Sequence, residues 1–149
     1  MAKKLSIPVS LSEEYTIIGI ACHLKEYRIS FQINQALRIR LRRMEDLLIE
    51  EADVADNKQY ALYSYDDMDR RFCYLLLTNH HQEGKLLGSL KQTDYFLIIS
   101  QILSQEELER IILRIRKVQG VLTAYQIHVR DVRDMDLLLI DLEMHLMTA

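Results

Sequence analysis

Residues 94–129 read DYFLIISQILSQEELERIILRIRKVQGVLTAYQIHV, and the fold class turns on how this stretch is parsed. Asp94 to Ser100 is a short apolar run, aromatic and β-branched, as buried strands are. Ser104 and Glu107 then stand at S-x-x-E spacing, so hydroxyl and carboxylate can cap a helix start reciprocally. Leu108, Ile111, Ile112, Ile115 and Val118 recur at helical intervals as one apolar stripe. Glu106 precedes Arg110 by one helical turn, a favourable pair. Arg114, Arg116 and Lys117 complement the negative end of the helix dipole, and Gly120 can supply a left-handed cap. Beyond it Thr123, Tyr125, Ile127 and Val129 alternate with Ala124, Gln126 and His128, which is the period of a strand. Strand, helix and strand follow in that order.

Upstream, Tyr60 to Tyr65 and Phe72 to Thr78 flank Asp66 to Asp69 as the arms of a hairpin flank its polar turn. Met44 to Glu50 and Tyr15 to Ala21 are further strand candidates, and Leu5, Ile7 and Val9 alternate around Pro8 as an edge strand would. Residues 25–43 fit two periods. Tyr27, Ile29, Phe31 and Ile33 alternate, while Ile29, Ile33, Ala36, Leu37 and Leu41 form a helical face. Downstream, Met135, Leu138, Leu139, Leu142 and Leu146 fall at helical spacing, with Leu137, Ile140, Met144 and Met147 off that stripe. Such a segment is a last helix sunk in the core, a strand over Leu137 to Ile140, or a partner face made of Met135, Leu138, Leu139, Leu142 and Met144.

Composition bounds the rest. The 149 residues are 49% hydrophobic and 28% charged, with 4 Gly and 1 Pro, enough apolar content for one core and too few breakers for a linker-rich chain. The expected architecture is a single α+β domain over residues 1–149. It has a mainly antiparallel sheet of about five or six strands, two main helices near 25–40 and 104–119 packed on one face, and a candidate C-terminal helix. No apolar run approaches the ~20 residues that cross a bilayer, and no apolar stretch follows Lys3-Lys4 as a signal peptide needs, so a cytoplasmic protein is expected. Cys22 and Cys73 form no C-x-x-C motif and are expected as reduced thiols.

Several stretches resemble one family. Glu26-Tyr27-Arg28-Ile29-Ser30-Phe31-Gln32-Ile33-Asn34, preceded by Ile18-Gly19-Ile20, resembles the "IGI…DYRLAW-x-LN" segment of the bacterial IPExxVD family. Leu76-Leu77-Thr78-Asn79 is similar to its "LI-x-N" strand end, Asp94-Tyr95-Phe96-Leu97 to its "VDYFL", and Val121 to Tyr125 to its late "VTAY". The naming motif departs from the pattern. Gly88, Ser89, Leu90 and Thr93 stand where I, P, E and V would be, and Asp94 alone is kept. The resemblance implies a small cytoplasmic bacterial protein of a family whose function is uncharacterised, with no catalytic residues to transfer. It also tips residues 25–40 toward a helix.

The chemistry-bearing groups are few. Residues 25–43 hold Lys25, Arg28, Arg38, Arg40, Arg42 and Arg43 against Glu26, and residues 44–69 hold nine acids against Lys58. On a continuous helix Arg38 and Arg42 share a face, so Arg38, Arg42 and Arg43 are candidate phosphate or partner contacts. Tyr27 and Phe31, which a bound strand could stack on, fall on the expected core stripe. A net charge of -3 and the acidic neighbour disfavour nucleic acid. His80-His81 with Glu83, joined by His128, is the most metal-like group, but adjacent histidines on an extended chain point apart, and a surface loop explains them better. Asp66 to Asp69 lacks the glycine and distal glutamate of a calcium loop and reads as turn chemistry. Asp94, ahead of an apolar strand, is a structural or functional acid, expected to bond backbone N–H groups or a cation and to hold the loop at 84–93. No nucleophile elbow or phosphate loop is present, and no cofactor, metal or catalytic residue is assigned. The leading expectation is a non-catalytic binding or protein-interaction module, with a partner or second copy at the C-terminal segment. The alternatives are nucleic-acid binding through the 25–43 arginines, and a small-molecule enzyme or carrier around Asp94, Tyr95 and His128.

Overall fold

The computed structural model describes residues 15–49, 58–81, 84–87 and 90–148. In chain order its elements are β1 (Thr16–Cys22), α1 (Glu26–Leu37), β2 (Arg42–Arg43), β3 (Leu47–Ile49), β4 (Lys58–Tyr60), β5 (Leu62–Asp67), β6 (Phe72–Thr78), β7 (His80–His81), β8 (Gly84–Lys85), β9 (Tyr95–Ile99), α2 (Gln105–Arg116), β10 (Val121–Ile127), a 3-10 turn (Val129–Asp131) and α3 (Met135–Thr148). Among the described residues the main sheet has six strands in the order β10-β1-β9-β6-β5-β2, all antiparallel. Two short ribbons, β3 with β4 and β7 with β8, flank it. This is the expected α+β class. The alternating segment at 5–9 and Glu83 lie outside the described residues.

Strand periodicity explains how one sheet feeds two cores. Ile18, Ile20 and Cys22 on β1, Tyr95, Leu97 and Ile99 on β9, and Tyr74 and Leu76 on β6 meet Ile29 and Ile33 of α1 and Leu108 and Ile115 of α2. The intervening residues Ile17, Phe96, Ile98, Leu75 and Leu77 point the other way and meet α3. Strands buried on both faces read as continuous apolar runs, which is why β1 and β9 carry so little polar alternation.

The two main helices share one face, as expected, and both boundaries have local causes. Ser104 Oγ accepts the Glu107 N–H at 3.2 Å and starts α2. Its end is closed by Lys117, whose N–H reaches the Leu113 carbonyl, while Gly120 (φ 98) serves the following turn rather than the cap itself. There the Leu24 side chain sits 3.0 Å from where a Cβ would stand. α1 stops at Leu37, short of the expected 40. Arg38 adopts φ 60, and Asn34 Oδ1 accepts the Leu41 N–H at 2.7 Å, pulling the chain out of the helix. The β5–β6 turn lies at 68–71 rather than 66–69. Asp67 stays in the strand and its Oδ1 accepts the Arg70 N–H.

The C-terminal segment is a helix, not a strand, and most of its proposed partner face is inside. Met135, Leu138, Leu139 and Leu142 are at most 3% exposed against the second sheet face, so they cannot meet a partner while α3 is docked. The surplus apolar surface on α3 is instead Leu137, Met144 and Met147. No described helix is long and apolar enough to cross a membrane.

Candidate functional site

Antiparallel register gathers three distant segments at one end of the sheet. Ile20 pairs with Tyr95, and Tyr95 with Thr78, so the residues just past those pairs converge. Asp94 is tied there by its own backbone, donating to the Ile20 carbonyl (2.8 Å) and accepting from the Asn79 N–H (2.9 Å). Its Oδ2 accepts the Cys22 N–H at 2.9 Å, and its Oδ1 meets His80 Nε2. The expected hold on a backbone donor is present, and the His80 ring is a second partner of the carboxylate.

The loop is anchored by another residue. Asn79, fully buried, donates through Nδ2 to the carbonyls of Leu90 (3.1 Å) and Thr93 (2.8 Å) and accepts the Leu87 N–H at 2.8 Å. Asn79 therefore pins the segment before β9. Thr93 also meets the Tyr125 hydroxyl, linking that segment to β10.

The pair opens into a cleft of about 1060 Å³, walled by Cys22, Lys25, Tyr27, Arg43, His80 and Asp94 among others. The His80 side chain is 50% exposed and Asp94 17%. With Nε2–H donating to Asp94, the imidazole is fixed in the tautomer whose Nδ1 lone pair is available, the arrangement that general bases use. Arg43 on the rim is engaged with Asp46 (2.6 Å) and the Met44 carbonyl (2.9 Å), with Tyr63's ring 5.5 Å away. The Tyr95 hydroxyl donates to the Leu24 carbonyl at 2.6 Å, fixing the loop before α1, and burial pushes its phenol far up from the ordinary value. Burial also raises the Cys22 thiol, so it is a poor nucleophile beside the pair.

The structure disperses the arginine cluster. Because α1 ends at Leu37, Arg38 and Arg42 do not share a helical face. Arg43 lines the cleft, Arg42 lies beside Asp66 at the sheet edge, and Arg38 stands at the far end of α1. His128 is not part of the Asp94 site. It follows β10 at the opposite end of the sheet, four residues or about 13 Å beyond Ala124, which pairs with Ile20. His80 takes that place. In the sequence His80 reads as a surface loop beside His81, and its one signal is the polar Thr78-Asn79-His80 end of an otherwise apolar strand. Tyr27 and Phe31 are outside the core, 59% and 56% exposed. Among the described residues no three His, Cys, Asp or Glu side chains converge as metal ligands. No protein-family model and no curated protein matches the chain.

Proposed function

We propose that this chain is a binding protein for a small polar molecule, held in the cleft at the β1–β9–β6 end with His80 Nδ1 as its central acceptor. The observation that carries the reading is the His80–Asp94 pair opening into a cavity of ligand size. The carboxylate is braced by the Cys22 N–H and the strand behind it by Asn79, which is the support a preorganised acceptor needs. Kinship with the IPExxVD family belongs to the same proposal. In its favour, the resembling stretches at 18–20, 76–79, 94–97 and 121–125 lie on neighbouring strands, and Glu26 and Tyr27 of the stretch at 26–34 line the cleft. A cytoplasmic setting fits the two free thiols.

The test is a thermal-shift screen of small polar metabolites on wild type, His80→Ala and Asp94→Asn. A ligand at a hundred times its Kd stabilises by about 2.7 kcal/mol, a readily visible rise in Tm. Hits are expected on wild type and to fade in both variants. A panel without hits, or hits that ignore His80, would refute the proposal.

A further inference from the structure

The outward face of α1 carries a second feature, which meets the histidine cleft only at Tyr27. At 100° per residue Tyr27, Phe31 and Gln35 follow one line opposite the buried Ile29 and Ile33, with Arg28 beside them. Both rings are more than half exposed, an unusual place for two aromatics one turn apart. The line leads to a groove of about 500 Å³ between the C-terminal ends of α1 and α2. Among the described residues it is lined by Arg38, Arg114, Lys117, three glutamines, Ala36 and Val118, with no carboxylate.

Cations near helix C-termini have an ordinary explanation in the dipole, but the magnitude does not suffice. Two helix ends supply about -0.5 charge each, whereas three cations meet here, leaving about two positive charges that the dipoles do not offset. Of the described acids that follow in sequence, Asp46 engages Arg43 and Asp66 lies beside Arg42. We infer that the α1 face and this groove bind single-stranded nucleic acid, bases stacking on Tyr27 and Phe31 and phosphates meeting Arg38, Arg114 and Lys117. Two stacking rings followed by a cluster of cations span roughly 18 Å, the length of α1, and offer a strand both base and phosphate contacts. An acidic peptide would engage the cations and leave the rings idle.

The experiment is fluorescence anisotropy with short labelled oligo(dT) and oligo(U), against a duplex of equal length and unlabelled poly-Glu as competitor. Binding is expected at low salt, stronger for single strands than duplex. Three phosphate contacts give a slope of log K against log salt of about -2. Tyr27→Ala and Phe31→Ala should each weaken binding about 5- to 150-fold, and Arg114→Ala with Lys117→Ala should flatten the slope. Both rings are exposed, so these variants keep the wild-type melting curve, and His80→Ala keeps oligonucleotide binding. No binding at low salt, equal affinity for duplex, or indifference to both ring substitutions each overturns the inference. Displacement by poly-Glu as effective as by unlabelled oligonucleotide overturns it in favour of an acidic protein partner.

Discussion

Asn79 is the residue on which the loop before β9 depends, and its removal has a computable cost. The side chain is fully buried and makes three hydrogen bonds to main chain of Leu87, Leu90 and Thr93. In Asn79→Ala the Leu87 N–H and the Thr93 carbonyl lose these bonds. The Leu90 carbonyl is less affected, because it still accepts the Thr93 N–H at 3.1 Å. Each stranded buried group costs about 1–3 kcal/mol, so about 3 kcal/mol is expected overall. For a chain of this length that lowers Tm by roughly 6–12 °C. Asn79→Asp is the sharper probe. It keeps the acceptor for Leu87 but turns a carboxylate toward two carbonyl oxygens. It should therefore be less stable than Asn79→Ala at neutral pH and recover as the pH falls and the buried acid takes a proton. Calorimetry of the two variants at pH 7 and pH 4, with amide exchange over 86–93, reads both effects. Wild-type melting in Asn79→Ala, or Asn79→Asp equal to it at neutral pH, would refute the anchoring argument.

Three other outcomes are expected. Gly19→Ala would bring its Cβ to 2.8 Å from the Tyr125 ring and 2.7 Å from Ile127 Cδ1, displacing the tyrosine from Thr93; a loss of about 1–3 kcal/mol by denaturant titration is expected, and an unchanged midpoint would contradict the close packing. Leu138→Ala should cost about 2–5 kcal/mol and Met144→Ala less than about 0.5, because one is buried and the other on the outer face of α3; the reverse order would return the buried stripe to the surface. Burial raises the thiols of Cys22 and Cys73 above their ordinary 9.0 and the phenols of Tyr63, Tyr74 and Tyr95 above 10.0. The unfolded chain then loses these protons first, so their stability contribution is full below about pH 9 and falls as pH climbs toward the folded values. Tyr95→Phe should lose less stability between pH 9 and 11 than wild type, and an identical alkaline slope would count against that assignment.

What the sequence disclosed follows the range over which each signal acts. α2 was legible because every one of its signals is local: the Ser104 cap, the apolar stripe and the basic last turn all lie within its own span. α1 was legible as a helix but not in length, since its end depends on Asn34 folding back onto Leu41, a contact that no period reports. The apolar content of α3 was plain, yet a helix apolar on more than one side does not reveal which side meets the core. That was settled by Phe96, Ile98, Leu75 and Leu77, residues of strands far away in the chain. For the same reason four of the five residues expected at a partner face lie in the core, and only Met144 is exposed. Tyr27 and Phe31 read as core because strand alternation groups them with Ile29 and Ile33. Only the helix axis separates the two sets.

The candidate site divides the same way. Asp94 announced itself as a charge ahead of an apolar strand, whereas His80 and Cys22 reach it through register. Thr78, Tyr95 and Ile20 stand abreast on three strands, and the site is made of the residues immediately beyond them. Side chains alternate along a strand, so a one-residue slip would turn every core residue of β9 to the wrong face and carry Asp94 away from the Cys22 N–H at the same time. The apolar alternation that makes such a slip costly is thus what holds the carboxylate against the histidine. Gly19 shows the same coupling from the other side. Its missing Cβ admits the Tyr125 ring, whose hydroxyl meets Thr93, whose carbonyl accepts from Asn79, the residue whose own N–H bonds the Asp94 carbonyl. The packing of the sheet and the geometry of the cleft are one set of contacts, which is why a site at a strand end could be suspected from Asp94 alone but assembled only in the fold.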